Sequence, residues 1–285
     1  MIAVLGASGQ LGSAFVRIMG DSCLPVTRQD LDLEDPDSIE SWVESTKPDL
    51  VINCAAYTAV DAAETDMETA RTVNAIAVGS LADAAARHEA RLVTFSTDYV
   101  FDGDKETGYV ESDQPNPLNF YGRTKLEGER LALGANPQAL VVRTSWLLSG
   151  THANFASKML ELISKGPVRV VDDQRGRPTF VDDLVAATNL ALTGGTVGIL
   201  HLANDGQTTW FGLAQEIAEI AGLDPERVSP CPSSDYPRPA KRPLNSVLDS
   251  ERIEDQMISP LPHYRPSLEA TVREIREQQP HLAGG

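Results

Sequence analysis

Tyr121 and Lys125 stand four residues apart in the stretch YGRTK, directly after a turn-rich segment, PNPLN at 115–119. The residues that follow, LEGERL at 126–131, read as helix once the prolines have ended. On a helix, positions i and i+4 share a face about 5 to 6 Å apart, so a phenol and an ammonium can point into one pocket. A free phenol, with a pKa of about 10, is a poor proton donor near neutrality, and a neighbouring ammonium stabilises the phenolate and lowers that value. A tyrosine tuned in this way can hand its proton to a carbonyl oxygen while the carbonyl is reduced. The plain alternative is an exposed tyrosine beside a solvated lysine, so the pair gains meaning only from what the chain places around it.

Reduction needs a hydride source, and the N-terminus reads as a place to hold one. An apolar run at residues 2–5 leads into Gly6, Ala7, Ser8, Gly9, Gln10, Leu11 and Gly12, then into a helical pattern with Leu11, Phe15, Ile18 and Met19 on one face. A strand, a G-x-x-G-x-x-G turn and a helix let amide donors and the positive helix end face a pyrophosphate. A second strand fits 23–27 and runs into Arg28, Gln29, Asp30 and Asp32. Arg28 suits a 2′-phosphate and hence NADPH, while Asp30 or Asp32 could serve the adenosine, so NADPH is expected with NADH left open.

A helix is expected over 36–45, a buried strand over 49–54, a long helix over 66–88 and a fourth strand over 91–96. Ala55 and Ala56 follow the third strand, where small residues allow a cofactor close to the backbone. Asn74 lies within the long helical pattern and is expected to turn inward to a backbone carbonyl in a structural role. Ser96 and Thr97 end the fourth strand at the same sheet edge as the glycine turn, and a hydroxyl there could hold a substrate carbonyl near Tyr121. After residue 147 come helices over 154–164, 180–192, 210–221 and 267–278, short strands over 168–171 and 198–203, and a proline-dense loop over 224–243. Two basic clusters, Arg175 with Arg177 and Arg238 with Lys241 and Arg242, offer guanidinium forks for phosphate oxygens, with solvated surface charge as the alternative.

The net charge of −17 excludes nucleic acid or an anionic membrane surface as the expected partner, since both would be repelled at long range. The 285 residues hold no apolar run of about 18, no leader-like segment, and three widely spaced cysteines. These features lead to the expectation of a cytoplasmic protein with free thiols.

The blocks GASGQLG (6–12), NCAAYTAVD (53–61), STDYVFDG (96–103) and YGRTK (121–125) resemble the extended short-chain dehydrogenase/reductases. Within that group RTSW (143–146), DQRGRPT (173–179) and RPLNS (242–246) are similar to the dTDP-4-dehydrorhamnose reductase family, over residues 1 to about 276. The resemblance implies a Rossmann-type α/β doubly wound parallel sheet over 1–147 and a smaller mixed substrate lobe over 148–285, with segments interleaving. It implies Tyr121 as proton donor, Lys125 tuning it and binding the nicotinamide ribose, and Thr97 orienting the keto group. Gly6, Ser8, Gly9, Gln10, Leu11, Gly12, Arg28, Asp32, Leu33, Ala55, Ala56 and Tyr57 would join Tyr121 and Lys125 around the cofactor. Thr58, Thr97, Asp98, Tyr121, Trp146, Arg177 and Arg242 would meet a dTDP-sugar.

Some members of the family bridge a homodimer with Mg²⁺ held by acidic residues. One such position is Ala14 here, with Asp182 and Glu274 near the others, so no metal is expected and a dimer stays open. The implied activity is NADPH-dependent reduction of the C4 ketone of dTDP-4-dehydro-L-rhamnose. The alternatives are a nucleotide-sugar epimerase or dehydratase of the same superfamily, or a non-catalytic regulatory subunit resembling the methionine adenosyltransferase beta subunit.

Overall fold

The computed structural model describes residues 1–253 and 259–279, so residues 254–258 and 280–285 of the expected 148–285 lobe lie outside the described residues. The chain runs β1 (Ile2–Leu5), α1 (Gln10–Met19), β2 (Cys23–Val26), α2 (Ser38–Thr46), β3 (Leu50–Asn53), α3 (Met67–Arg71), α4 (Ala77–Arg87), β4 (Arg91–Thr97), α5 (Phe120–Ala135) and β5 (Leu140–Thr144). It continues through β6 (Leu147–Leu148), α6 (Phe155–Lys165), β7 (Val168–Val171), β8 (Arg175–Gly176), β9 (Thr179–Phe180), α7 (Val181–Thr193), β10 (Gly198–His201), β11 (Thr208–Thr209), α8 (Trp210–Ile220), β12 (Val228–Cys231) and α9 (Tyr264–Gln278).

Six strands form one parallel sheet in the order β10-β5-β4-β3-β1-β2, the doubly wound arrangement that the alternating strand and helix signals imply. Both faces are covered, so β3 and β5 are buried at every position. Val4, Ile52, Val93 and Val142 point to the face covered by α1 and α7. Ala3, Leu5, Val51 and Val141 point to the face covered by α2 and α4.

Segments from both sides of residue 147 build the first sheet and its core. The 148–285 segment sends β10 back to pair with β5, from Gly198 opposite Leu140 to His201 opposite Arg143, and α7 packs on α1 within the sheet's own core. A strand buried on both faces still has an edge to satisfy, and β10 satisfies that of β5. The remaining helices, α6, α8 and α9, enclose a separate core with Leu160, Ile163, Leu213, Ile217, Leu268 and Val272.

The helix expected over 66–88 is interrupted. Between α3 and α4, residues Thr72–Ile76 form a π turn, and Asn74 at its centre is buried. Its amide bonds the Tyr57 main chain twice, accepting from the Tyr57 N–H at 2.9 Å and donating to the Tyr57 carbonyl at 3.0 Å, and it donates to Thr124 Oγ1 at 3.1 Å. A π turn redirects a helix by one residue at such a demand, which a propensity reading cannot foresee.

Helix α5 lies unusually deep. A β-carbon at Gly122 would overlap the Tyr99 carbonyl oxygen, and one at Gly128 would overlap the Asn74 carbonyl oxygen. Gly128→Ala should therefore lower stability by about 1–3 kcal/mol in urea unfolding, because backbone on both sides of the contact has to move. An unchanged midpoint would mean that α5 is not seated on the π turn.

Candidate active site

The glycine turn closes the end of β1. Gly6 takes φ of 70°, and a β-carbon there would lie 2.7 Å from the Ala55 nitrogen, so the turn and the residues after β3 touch through backbone alone. Gly9 donates its N–H to the Gly6 carbonyl at 2.9 Å. Leu11 and Gly12 are buried inside the first turn of α1, with a Gly12 side chain excluded by the Gly6 carbonyl.

Beside this turn is a cavity of about 200 Å³, lined by Gly6, Ser8, Arg28, Asp32, Leu33, Ala55, Ala56 and Tyr57. Eight of the residues expected at the cofactor are thus brought to one cavity. Leu31, Glu34 and Val73 line it too, and the sequence reading passed over them. At its rim Arg28 pairs with Asp32 at 3.3 Å and with Glu34 at 2.7 Å, in the open. Ser8 and Gln10 are touched from the second lobe, where His152 Nε2 lies 3.2 Å from the Ser8 carbonyl and Asn154 donates to Gln10 Oε1 at 3.2 Å.

Two strands along the same sheet edge, β4 delivers Thr97, and α5 delivers Tyr121 and Lys125. Asn119 caps α5 by accepting from the Gly122 N–H at 2.8 Å, which sets Tyr121 in the first turn. Tyr121 is half-buried and its ring meets Tyr99 edge to face at 6.1 Å. Thr97 Oγ1 donates to Asp98 Oδ1 at 3.0 Å and accepts from the Tyr99 N–H at 3.1 Å.

The electrostatics differ from the expectation for the pair. Burial pushes the Tyr121 phenol up to about 12; the Thr97 hydroxyl draws it down and the Asp98 charge raises it further. Burial lowers the Lys125 ammonium to about 8, opposed by the charge of Glu129. In the empty protein Glu129 is the charge that acts on the lysine, and loss of water is the largest influence on both groups. Tyr121 is consequently held in its acid form through the neutral range.

The residues expected at the substrate divide. Asp98 is buried beside Thr97 with Oδ2 unbonded, and Arg242 faces Tyr99, whose ring meets that of Tyr121. Arg242 is already clamped by Asp61, Nη1 to Oδ1 at 2.6 Å and Nη2 to Oδ2 at 2.9 Å. Arg177 is paired with Asp249 and lies 3.7 Å from Asp205. Thr58 is exposed.

Trp146, with φ of 47°, is stacked on Trp210 at 3.6 Å within the second core. Asp61 and Ser246 were missed as site residues. The signal for Asp61 was present, an acidic residue closing the block NCAAYTAVD. Ser246 comes beside Asp98 only through tertiary folding.

Ala14, Asp182 and Glu274 line one further cavity, of about 140 Å³, but Arg17 occupies Asp182 as an ion-pair partner. A methyl group and a neutralised carboxylate do not suit a hard cation that demands oxygen ligands. Among the described residues no helix is long and apolar enough to cross a membrane.

A glycine turn at the first strand, a Tyr-x-x-x-Lys helix at the same sheet edge and an appended second lobe define an extended short-chain dehydrogenase/reductase. Residues 1–277 match the family model described as the RmlD substrate binding domain. The chain is 42% identical over 281 residues to the dTDP-4-dehydrorhamnose reductase of Mycolicibacterium smegmatis, covering 96% of this chain and 85% of that one. Among solved structures it is similar to the dTDP-4-dehydrorhamnose reductase of Clostridium acetobutylicum, with a TM-score of 0.93, 35% identity and coverage of 96% and 99%. It is also similar to that of Bacillus anthracis in complex with NADP, with a TM-score of 0.91, 32% identity and coverage of 96% and 98%. The chain belongs to the dTDP-4-dehydrorhamnose reductase family.

Burial raises the Asp98 carboxyl to about 6, against opposing contacts from Ser246 and Thr97. A carboxyl whose folded pKa lies above its unfolded one costs stability as pH rises between the two, here from about 4 to 6. Asp98→Asn should match the parent below pH 4 and exceed it by about 1–3 kcal/mol above pH 6, measured by urea unfolding across that range. A variant that gains nothing at high pH would place the charge in water.

Proposed function

We propose that this protein reduces the C4 ketone of dTDP-4-dehydro-L-rhamnose to the alcohol of dTDP-L-rhamnose, using NADPH. The observation that carries the reading is the meeting of Thr97, Asp98, Tyr121 and Arg242 at the sheet edge that also ends in the glycine turn. NADPH is favoured over NADH by Arg28 at the cavity rim and by the NADP bound in the related Bacillus anthracis structure. NADH remains usable in this reading, since Asp32 and Glu34 share that rim.

When bound, the nicotinamide supplies the hydride that reaches the ketone carbon. The chain's own work is to position and to protonate. Gly6 and Gly12 let the turn close tightly against Ala55 and the first turn of α1, whose N-terminus would face a pyrophosphate, and the cavity at Leu33, Ala55 and Tyr57 would take the adenosine. Thr97 Oγ1 fixes the keto oxygen beside the phenol, and Tyr121 Oη gives that oxygen its proton as negative charge develops there. The phenol's high affinity for its proton in the empty protein keeps the donor loaded before reaction. Arg242, released from Asp61, and Arg177 are assigned to the diphosphate of the sugar nucleotide.

The same reading makes the protein cytoplasmic, because its nucleotide substrates are, and independent of Mg²⁺. A homodimer is compatible with it.

Purified protein should oxidise one NADPH per 4-keto sugar nucleotide consumed. An epimerase or dehydratase would leave the cofactor pool unchanged, and a regulatory subunit would do nothing. Tyr121→Phe, which keeps the ring and removes the proton, should lower kcat by roughly 10²–10⁴ while cofactor affinity stays within a few fold, read by stopped-flow NADPH absorbance and fluorescence titration. Retention of full kcat would remove Tyr121 from the chemistry.

A further inference from the structure

Behind the site lies a set of charges that the reaction as described does not use. Glu129, one helical turn after Lys125 on α5, is buried to 3% exposure. Its carboxylate receives Arg143 Nε on Oε1 at 2.9 Å, Arg143 Nη2 on Oε2 at 2.7 Å, and the Ser96 hydroxyl on Oε1 at 2.5 Å. Arg143 is itself 1% exposed, within a strand otherwise made of Leu140, Val141, Val142 and Thr144.

Lys125 is buried to 5% exposure and, among the described residues, makes no hydrogen bond or ion pair through Nζ. It shares with Glu129 a narrow gap between α5 and β4, walled also by Ser96, Thr94 and Asn74. An ammonium in such a place is stable only if an opposite charge is near.

We propose that Glu129, held by Arg143 and Ser96, is a positioning residue that supplies the counter-charge for the Lys125 ammonium and so sets the alkaline limit of activity. This rests on the reading, implied by the family resemblance, of Lys125 as the ammonium that holds the nicotinamide ribose beside Tyr121. The bidentate clamp fixes the carboxylate's place, and the i to i+4 spacing puts it on the lysine's face of α5.

The other charges packed around α5 do not take its part. Asp98 on the turn after β4 acts on Tyr121 and Tyr99. His201 on β10 faces Arg143, 3.3 Å from Nη1. Glu64 accepts from the Phe120 N–H, and Arg71 on α3 pairs with Glu127. On α4, Asp83 and Arg87 pair with each other, and Arg87 with Glu40 of α2.

Loss of the Glu129 charge leaves Arg143 and Lys125 as buried like charges, and the lysine sheds its proton at lower pH. Burial already lowers it to about 8, and Glu129 is the charge that opposes this.

The test is a pH titration of protein labelled with 13C at lysine, the Lys125 signal being assigned by its loss in Lys125→Arg, beside a kcat/KM profile against pH. In the parent, Lys125 should be an ammonium at pH 7 and titrate near the foot of the alkaline limb. In Glu129→Gln both the lysine titration and the alkaline limb should move down by about one pH unit, a roughly tenfold loss of ammonium on the alkaline side. Glu129→Asp, which keeps the charge one methylene further back, should shift both in the same direction by less, and it carries the test if the Gln variant does not fold.

The proposal is overturned by a parent lysine already neutral at pH 7, or by a folded variant whose Lys125 titrates where the parent's does. It is overturned too if the lysine shifts and the alkaline limb stays. A lowered unfolding midpoint with an unmoved titration would make Glu129 structural only. The titration needs no substrate, so failure of the assigned sugar nucleotide to react is a separate result and leaves the charge measurement standing.

Discussion

The depth at which α5 rests against its neighbours is the constraint on which the site depends. Backbone meets backbone at Gly122 against Tyr99 and at Gly128 against Asn74, one contact on each side of Lys125. A helix held at two points by main chain cannot slide or roll without losing both, whereas side-chain packing alone tolerates small adjustments. The π turn at 72–76 is the complementary surface: by shifting the helical register it presents the Asn74 carbonyl to Gly128 while the Asn74 side chain ties down Tyr57. One residue thereby couples the loop lining the adenosine cavity to the helix that carries the phenol.

A chain of charge −17 that handles dinucleotides and sugar nucleotides must solve an electrostatic problem, and it does so by keeping its arginines in company. Arg28, Arg177 and Arg242 each have carboxylate partners, at Asp32 and Glu34, at Asp249 and Asp205, and at Asp61. An unpaired guanidinium in a partly desolvated cleft would carry a solvation cost in the empty protein, while an acidic partner removes it and keeps the fork oriented. Under the proposed function, a phosphate would compete with a carboxylate for donors already oriented by these pairs. The pairs differ in consequence: Arg28 is well exposed, so its partners are worth little, whereas Arg242 is half-buried and bidentate.

Much of this was legible in the residues. Strand, glycine turn and helix at 2–19 announce themselves by a switch from an apolar run to a 3.6 period, and YGRTK follows prolines that must precede the helix. Three features were not. A π turn has the same composition as the helix around it, so residues 66–88 read as one element. The return of 198–201 to the first sheet depends on which edge is free, a property of topology with no local signature. The burial of Tyr121 and Lys125, which raises the one pKa and lowers the other in the empty protein, leaves no mark in their spacing. Arg143 did leave a signal, a guanidinium inside a run of apolar strand residues, which a buried strand tolerates only when a carboxylate awaits it.

That buried guanidinium also links the second half of the chain to α5. His201 sits on β10 with Nδ1 2.8 Å from the Asp249 carbonyl and 3.1 Å from that of Tyr109, so Nδ1 must carry the proton and Nε2 is left to accept from Arg143. Burial disfavours a second proton on this ring, and an adjacent guanidinium disfavours it further. A neutral histidine of fixed tautomer therefore joins the 249 loop, which also holds Arg177, to the Arg143 that grips α5 through Glu129. From His201 through Arg143 to Glu129 the hydrogen bonds run through buried groups, where each broken bond is costly, while the end at Asp249 and Arg177 is partly open to solvent. The strand that left the second half of the chain to complete the sheet thus also ties the 249 loop to the helix that carries the phenol.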